Sequence, residues 1–410
     1  MESVIPLGEA RDHVLARCVG SAPIGVPVAD ARGLVLAEVV DSPEHVPSFA
    51  NTAMDGFAVR AADTVGAPVV LVVVGTVAAG VDPVAEGIEV GPGDAVRIMT
   101  GAPMPPGSDA VVIVERTEAS PDGVTVEVGI EVSEGNHVRT PGEDLVAGDR
   151  VFEVGTVLSP GHLGVLASIG ISSVVVHRRL RVGVLSTGDE LSEGPYPLAP
   201  GQIRDANRPS LLALLDELGV KALDLGRVAD DEAAIEAALV DAVARCDAVL
   251  TSGGVSMGDF DYVKVVLDRI GDMRWMQVAI KPAKPLAFGL VDGVPVFGLP
   301  GNPVSSMVSF ELFARPALRA MAGHVDLDRR RVRATVVGEP ADGGLRRRSD
   351  GRVHFARVVV DVVDGRFRVR SAGGQGSHQL TAMAAADGLA VLPDGDGVPV
   401  GGEVEVLLLS

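Results

Sequence analysis

The chain of 410 residues is long enough for two to four domains, and its hydrophobic fraction of 47% can supply several cores. The formal net charge of -20 argues against non-specific binding to nucleic acid or to anionic membranes, because both need a basic surface. Neither a signal peptide nor an apolar run long enough to span a bilayer is found, so we expect a cytoplasmic protein. The two cysteines and eight scattered histidines predict free thiols and no structural zinc site.

The first 180 residues predict two structural units. Residues 7–19 read as a helix, and a proline-rich connector follows at 42–49. β-branched runs then predict a β-rich domain over residues 46–150. Residues 151–180 look like a return to the first segment. We therefore assign 1–45 and 151–180 to one elongated helical and β domain, into which the β-rich domain is inserted.

Polar loops of the inserted domain are the first candidate site. The sequence Asn-Thr-Ala-Met-Asp-Gly at 51–56 ends in a turn signal, so a simple hairpin corner at Asp55 is an equally good interpretation. A second loop, rich in proline and small residues, begins at Thr100.

Strands and helices alternate from residue 181 to 325, which predicts a βαβ series with a parallel sheet. The loop 187–190 places Asp189 and Glu190 at the carboxyl end of a strand, where carboxylates can hold a divalent metal against phosphate oxygens. Capping of a helix by Asp189 is the alternative.

A strand, a glycine loop and a helix follow one another between residues 247 and 267. The loop contains Ser252, Gly253 and Gly254, and Asp259 stands at the expected helix N-cap. Adjacent glycines allow close approach of backbone amides, and a helix N-terminus favours anions, so this loop suits a phosphate. Glycine used for tight packing alone is the alternative.

Two lysines, Lys281 and Lys284, are each followed by proline, although the chain contains only four lysines. They resemble point charges held against an anion, the alternative being a solvated basic turn. The turn 300–303 then opens a helix, with Asn302 as N-cap and Pro303 at its first position. Because ligands of doubly wound folds bind outside the carboxyl ends of strands, these loops can serve one crevice.

The last part of the chain, residues 326–410, reads as strands joined by Asp-Gly turns and predicts a small barrel or sandwich. A donor-rich loop at 373–378 interrupts it.

Taken together, these motifs resemble the molybdopterin molybdenumtransferases of the MoeA type, which include the E domain of gephyrin and of its plant counterpart. The motifs occur in the family's order over nearly the whole chain. They cover residues 51–59, 97–107, 142–145, 186–191, 201–207, 252–264, 280–285, 298–305 and 375–378.

The resemblance implies an enzyme of molybdenum cofactor synthesis that inserts molybdate into adenylylated molybdopterin, with Mg²⁺ as cofactor and release of AMP. It implies a multidomain α/β plus β fold. The α/β/α domain would be similar to the molybdopterin adenylyltransferases, and it would accompany the elongated segment, the inserted β-rich domain and a C-terminal β barrel. The implied partners are a second copy of the chain sharing the active site, and transient contacts with molybdopterin adenylyltransferase and acceptor molybdoenzymes.

The resemblance also implies roles for individual residues. Those expected in catalysis are Asp55, Thr100, Glu190, Asp261, Lys281 and Lys284, of which Asp55, Glu190 and Asp261 would ligate magnesium. Those expected to bind the substrate are Ser252, Gly253, Gly254, Ser256, Asp230, Pro300, Gly301, Asn302, Pro303, Arg139, Asp144, Arg357 and Ser377.

These roles are physically consistent. Carboxylates hold magnesium against the diphosphate, while Lys281, Lys284 and Arg357 neutralise phosphate or molybdate oxygens. The hydroxyls of Thr100 and Ser377 donate to a tetrahedral oxyanion.

Two residues depart from the family pattern. Gln277 stands where many relatives have lysine, and Ala283 stands where glycine is usual. We expect altered affinity and retained activity.

Two other functions are considered. The adenylyltransferases share a similar α/β domain, but they are single domains with a Thr-Gly-Gly-Thr-Gly loop. A non-catalytic scaffold is disfavoured by the intact acidic and lysine positions.

Overall fold

The computed structural model describes residues 4–253, 262–338 and 344–409. The first segment contains short strands, one helix and a 3-10 turn at Val28–Asp30, which lies between the second and third strands. Its elements are β1 (Val4–Ile5), α1 (Leu7–Leu15), β2 (Pro23–Pro27), β3 (Val35–Leu36) and β4 (Val40–Asp41).

The β-rich region forms a six-stranded sheet with the order β10-β11-β7-β8-β6-β9. Alternation along β6 sends Phe57 and Val59 to one apolar cluster and Ala58 to another, so both faces of the sheet are covered. The strands are β5 (Asn51–Thr52), β6 (Gly56–Val59), β7 (Val69–Val77), β8 (Asp94–Ile98), β9 (Ala110–Ile113), β10 (Thr117–Ala119), β11 (Thr125–Val128) and β12 (Val138–Arg139).

The chain then returns to its first segment through β13 (Arg150–Phe152), α2 (Pro160–Ser168) and β14 (Ser173–His177). Strand β13 pairs with β4, and β14 pairs with both β2 and β3, all antiparallel. The segments on either side of the β-rich region therefore pair with each other.

A seven-stranded sheet forms the centre of the α/β region, with the order β1-β20-β22-β23-β19-β15-β18. Helices α1, α3 and α6 cover one face, and α4 and α5 cover the other, as the predicted α/β/α arrangement requires. The helix that begins as α6 continues through a π-helical turn at Phe310–Ala314 into α7. The elements are β15 (Arg181–Thr187), β16 (Leu191–Ser192), β17 (Ile203–Arg204), α3 (Asn207–Glu217), β18 (Lys221–Val228), α4 (Glu232–Arg245), β19 (Ala248–Ser252), α5 (Tyr262–Ile270), β20 (Asp272–Val278), β21 (Ile280–Lys281), β22 (Pro285–Val291), β23 (Val294–Leu299), α6 (Pro303–Ser309) and α7 (Arg315–Met321).

Residues 4–15, which we assigned to the elongated domain, contact the α/β sheet. Strand β1 pairs in parallel with β20 at the edge of the α/β sheet. Ala10 and Val14 on α1 are fully buried in the apolar cluster of that sheet. The apolar face of α1 was visible in the sequence, but the surface that it covers was not.

The C-terminal region is a closed barrel, which confirms the barrel prediction over the sandwich. Its strands follow the order β26-β27-β24-β30-β28, and β28 pairs back with β26. Phe355 and Leu389 of the barrel share an apolar cluster with the α/β sheet, and β21 pairs with β26. The elements are β24 (Arg331–Val336), β25 (Leu345–Arg346), β26 (Val353–Val363), β27 (Arg366–Ser371), α8 (Leu380–Ala384), β28 (Gly388–Leu392), β29 (Gly397–Val398) and β30 (Glu403–Leu408). Among the residues described, no helix is both long and apolar enough to cross a membrane.

Candidate active site

Four parallel strands of the α/β sheet end together at one edge. Thr187 is the register partner of Val228, and Ser252 is the partner of both Ser186 and Leu299. The loops that follow β18, β15, β19 and β23 therefore emerge side by side, as ligand sites in doubly wound folds require. They carry Asp230, the 188–190 turn, Gly253 and the 300–303 turn.

Gly253 needs to be glycine for a local reason. Its φ angle is +93°, and a Cβ there would lie 3.1 Å from the carbonyl oxygen of Thr187. Its N–H also donates to the carbonyl oxygen of Leu299 at 3.2 Å. The loops after β15, β19 and β23 thus pack closely. The next predicted site residues, Gly254, Ser256 and Asp261, lie outside the described residues.

The carboxylates at this edge have distinct environments. The backbone N–H of Asp189 donates to Oδ2 of Asp230 at 3.2 Å, and the N–H of Asp230 donates to Oδ1 of Asp189 at 3.3 Å. Asp189 therefore ties two loops together. Glu190 is exposed beside them.

Within 4–253, 262–338 and 344–409, no group of three or more His, Cys, Asp or Glu converges to hold a metal ion. Glu190 and Asp230 do supply hard oxygen donors. That donor set fits Mg²⁺, which commonly takes only one or two carboxylates and completes its shell with substrate phosphates and water.

The 300–303 turn starts helix α6 as predicted, but Asn302 makes no side-chain capping hydrogen bond among the residues described. The first free N–H of the helix, from Val304, donates instead to the carbonyl oxygen of Ser377 at 3.1 Å. The donor-rich loop of the barrel consequently lies at the start of α6. Pro300, Gly301, Asn302 and Pro303 thus stand beside Ser377.

Arg357 lies underneath that barrel loop and is fully buried. Its Nη2 donates to the carbonyl oxygens of Gly374 and Gly376 at 2.7 and 3.2 Å. Gln375 forms two further bonds with the Arg357 backbone, at 2.9 and 3.0 Å. The guanidinium thus shapes the loop from below, and its neutralisation of phosphate or molybdate oxygens stays a prediction.

Two nitrogens of Arg357, Nε and Nη1, are buried and have no hydrogen-bond partner among the described residues. Burial lowers the pKa of the guanidinium, and no acidic group in the described part of the chain offsets this effect. A buried cation without a carboxylate is costly.

The two lysines are exposed at the junction of the sheet and the barrel. Lys281 is the register partner of His354 on β26. Burial of His354 is the main cause of the lowered pKa of this histidine, and the positive charge of Lys281 adds to the effect. Ala283 between the lysines is 3% exposed and adopts a φ of +73°, a conformation that explains why glycine suits this position. Gln277 lies in β20, where it pairs with Val4 and Pro285.

A second polar group lies in the β-rich region. The backbone N–H and the hydroxyl of Thr100 both donate to Oδ1 of Asp55, at 2.7 Å each. These bonds, the backbone one first, lower the pKa of the exposed Asp55 carboxyl, and Arg97 adds to the effect. Asp55 is therefore held ionised.

Two further predicted residues, Arg139 and Asp144, are exposed in the same region. Arg139 is the register partner of Asn51, four residues before Asp55, while the N–H of Asp144 donates to the carbonyl oxygen of Val46 at 2.9 Å. In the described parts of the chain, no hydrogen bond or ion pair joins the Asp55–Thr100 pair to the loops at the strand ends. The predicted site residues thus form two separate groups.

Asn207 was not among the predicted site residues. Its Nδ2 donates to Oγ of Ser252 at 2.7 Å and to the carbonyl oxygen of Gly301 at 2.8 Å. In the sequence it was visible only as the last residue of a family motif and as the start of a helix.

Comparisons with known proteins identify the family of the chain. Residues 5–170 match the MoeA N-terminal region (domain I and II), residues 183–320 match a probable molybdopterin binding domain, and residues 345–409 match the MoeA C-terminal region (domain IV). The crystal structure of the molybdopterin biosynthesis moeA protein from Pyrococcus horikoshii OT3 superposes with a TM-score of 0.81 at 29% identity, covering 99% of this chain and 100% of that one.

Two curated relatives cover most of the chain. The molybdopterin molybdenumtransferase of Haemophilus influenzae is 40% identical over 375 residues, which are 91% of this chain and 90% of the relative. Molybdopterin molybdenumtransferase 2 of Mycobacterium tuberculosis H37Rv is 39% identical over 382 residues, 91% of each chain. The chain therefore belongs to the molybdopterin molybdenumtransferases, transferases of molybdenum cofactor biosynthesis.

Proposed function

We propose that the chain inserts molybdate into the dithiolene of adenylylated molybdopterin, with release of AMP. The observation that carries this proposal is the buried Arg357 guanidinium. It has two nitrogens without a partner in the described structure, and it lies under the loop that contacts the start of α6. A desolvated positive charge at this junction favours an oxyanion beside the strand-end loops.

The anionic oxygens of the substrates need positive charge and hydroxyl donors. Lys281 and Lys284 supply exposed ammonium groups next to the barrel, and Ser377 supplies a hydroxyl at the start of α6. In the proposed role these groups bind tetrahedral molybdate and the phosphates, while Arg357 holds the shape of the barrel loop and adds its charge from below. The dithiolene itself ligates the incoming metal, so soft protein ligands are unnecessary.

Magnesium dependence is part of the proposal. When bound, Mg²⁺ would neutralise charge on the diphosphate as AMP leaves. Glu190 and Asp55 are the described candidates to hold it, with Asp230 nearby, and Asp261 is the candidate outside the described residues. The hydrogen bonds from Thr100 keep Asp55 in the charged form that a metal ligand needs.

We further propose that two copies of the chain complete each active site. Within the described residues, the Asp55–Thr100 pair forms no hydrogen bond or ion pair with the strand-end loops, so it can act on a ligand held by another copy. A symmetric dimer would then build two sites, each from the α/β region of one copy and the β-rich region of the other.

The test is to measure AMP released and molybdenum incorporated by the purified protein supplied with adenylylated molybdopterin, with molybdate and magnesium each present or omitted. We expect AMP release to need both ions and to be lost in Asp55→Asn. Asp122→Asn is the matched control, because Asp122 is another exposed carboxylate of the β-rich region whose Oδ1 accepts from a hydroxyl and a backbone N–H. A folded protein that never releases AMP would contradict the proposed reaction and would favour a non-catalytic scaffold.

A further inference from the structure

Asn207 joins two loops of the candidate site through one side chain. It is only 9% exposed, and its Nδ2 donates to Ser252 Oγ, at the end of β19, and to the carbonyl oxygen of Gly301, just after β23. Both distances, 2.7 and 2.8 Å, are those of good hydrogen bonds. Because β19 and β23 are neighbouring strands, this bridge fixes the separation of the two loops that follow them.

Asn207 is itself held in place. Oδ1 of Asp205 accepts from the backbone N–H groups of Asn207 and Arg208, each at 3.1 Å. Nε of Arg208 donates to Oδ2 of Asp205 at 3.2 Å. One and two turns along the same helix, Leu211 and Leu215 are fully buried against the sheet. The base of the Asn207 side chain therefore cannot move without disturbing α3.

Stability alone does not explain an asparagine here. Its Oδ1 is buried without a partner in the described residues, and so is Oγ of Ser186. Ser186 is the register partner of Ser252, so both side chains leave the sheet on the face that α3 covers. Since unpaired buried polar groups destabilise a fold, an apolar side chain would serve packing at least as well.

We propose that Asn207 is a positioning residue for the ligand. By holding the β19 loop against the β23 loop, it sets the spacing of the backbone groups around Gly253 and Gly301 that receive the phosphate-bearing part of molybdopterin. The inference rests on the proposed function, because it deepens the role of the same site.

The test compares the binding of molybdopterin, kept anaerobic, to the wild-type chain, Asn207→Ala and Ser210→Ala. Ser210 is the matched control: it lies on the same helix, its hydroxyl donates to the carbonyl oxygen of Ala206 at 2.8 Å, and among the described residues it forms no hydrogen bond with either loop. We expect Kd to rise by about tenfold or more in Asn207→Ala, as the loss of two buried hydrogen bonds predicts, and to stay unchanged in Ser210→Ala. In turnover, KM for adenylylated molybdopterin should rise more than kcat falls.

Ser252→Ala and the double variant provide a second route, which also applies if Asn207→Ala folds poorly. Ser252→Ala removes one acceptor and should weaken binding less than Asn207→Ala does. If Asn207 acts through Ser252, the effect of the double variant is smaller than the product of the single effects. Independent, multiplicative effects, or wild-type affinity in folded Asn207→Ala, would overturn the inference.

The binding titration also separates this inference from the proposed reaction. A wild-type chain that binds molybdopterin but releases no AMP would contradict the reaction, while the comparison of variants would still decide the role of Asn207. A wild-type chain that does not bind molybdopterin would overturn both.

Discussion

Asp55 and Thr100 show how two exposed residues can form a defined chemical group. Both hydrogen bonds go to Oδ1 of Asp55. Its other oxygen, Oδ2, accepts no hydrogen bond from the described residues and can therefore contact a ligand. Because hydrogen bonds to the charged form favour it, the pKa of Asp55 is lowered. The side chain therefore stays ionised further into acid than an ordinary aspartate.

Thr100→Val should raise the pKa of Asp55, since it removes the hydroxyl donor and keeps the backbone one. Activity that requires ionised Asp55 is present above the pKa of this group and is lost as pH falls through it. The acid limb of the pH profile should therefore move to higher pH, and a carboxyl-carbon NMR titration should show the same direction. The control is Thr117→Val, because the Thr117 hydroxyl donates to the carbonyl oxygen of Val114. This variant should change neither the pH profile nor the pKa of Asp55.

Ala283→Gly should stabilise the protein. Alanine at a φ of +73° is strained by about 1–2 kcal/mol, and the greater freedom of glycine in the unfolded chain offsets about half of that. We expect the free energy of unfolding to rise by about 0.5–1 kcal/mol in urea titrations. Ala322→Gly is the control, because its φ of -85° is ordinary, and it should lower stability. A loss of stability in Ala283→Gly would contradict the strain interpretation.

At the scale of elements, the helix from Pro303 to Met321 carries both a site and a buried charge cluster. Its N-terminus receives the barrel loop, and its π-helical turn directs Glu311 inward, where the side chain is 1% exposed. Arg329 donates to both carboxylate oxygens of Glu311 at 3.0 Å each, and Arg315 lies 3.4 Å from the same carboxylate. This cluster anchors the connection into the barrel.

Glu311→Gln should be strongly destabilising, because the largely buried Arg315 loses its charged partner and the largely buried Arg329 keeps only Glu217. The expected loss is about 3 kcal/mol in the free energy of unfolding, measured by urea titration. Glu405→Gln breaks an exposed ion pair in which Nη1 of Arg331 lies 2.6 Å from Oε1 of Glu405. It should lower the free energy of unfolding by less than about 1 kcal/mol. Equal losses in the two variants would show that burial does not set the strength of these pairs.

Elements were predictable where the pattern is local. The strand and helix alternation after residue 181, the start of α6 at Pro303 and the end of β19 at Ser252 all follow from short-range signals. The burial of Arg357, the two-loop bridge of Asn207 and the pairing of β1 with β20 depend on contacts between distant parts of the chain. No spacing rule encodes such contacts, so the sequence did not predict them.

At the scale of the whole molecule, the barrel and the α/β region share one apolar cluster and two backbone connections, through β21 and through Ser377. The β-rich region instead contacts the first segment, because Val46 and Leu145 pack against the apolar cluster that contains Leu36 and Leu166. The two groups of site residues thus belong to differently anchored parts of the chain.

Co-expression of two inactive variants tests whether these parts meet between copies. Asp55→Asn and Glu190→Gln should each be inactive alone. With random pairing, about one quarter of the sites in an equal mixture combine two intact halves, so about one quarter of the wild-type AMP release should return. Glu190→Gln with Lys284→Gln, both in the α/β region, should restore none. No recovery in the first pair would show that the site is built within one copy.

In the proposed function, molybdenum insertion and AMP release are one reaction. The most direct measurement quantifies AMP and dithiolene-bound molybdenum in the same single-turnover sample, as molybdate is varied at fixed adenylylated molybdopterin and magnesium. We predict one AMP for each molybdenum at every molybdate concentration, with neither product when molybdate is omitted. AMP released at the same rate without molybdate, or molybdenum incorporated without AMP, would contradict the account.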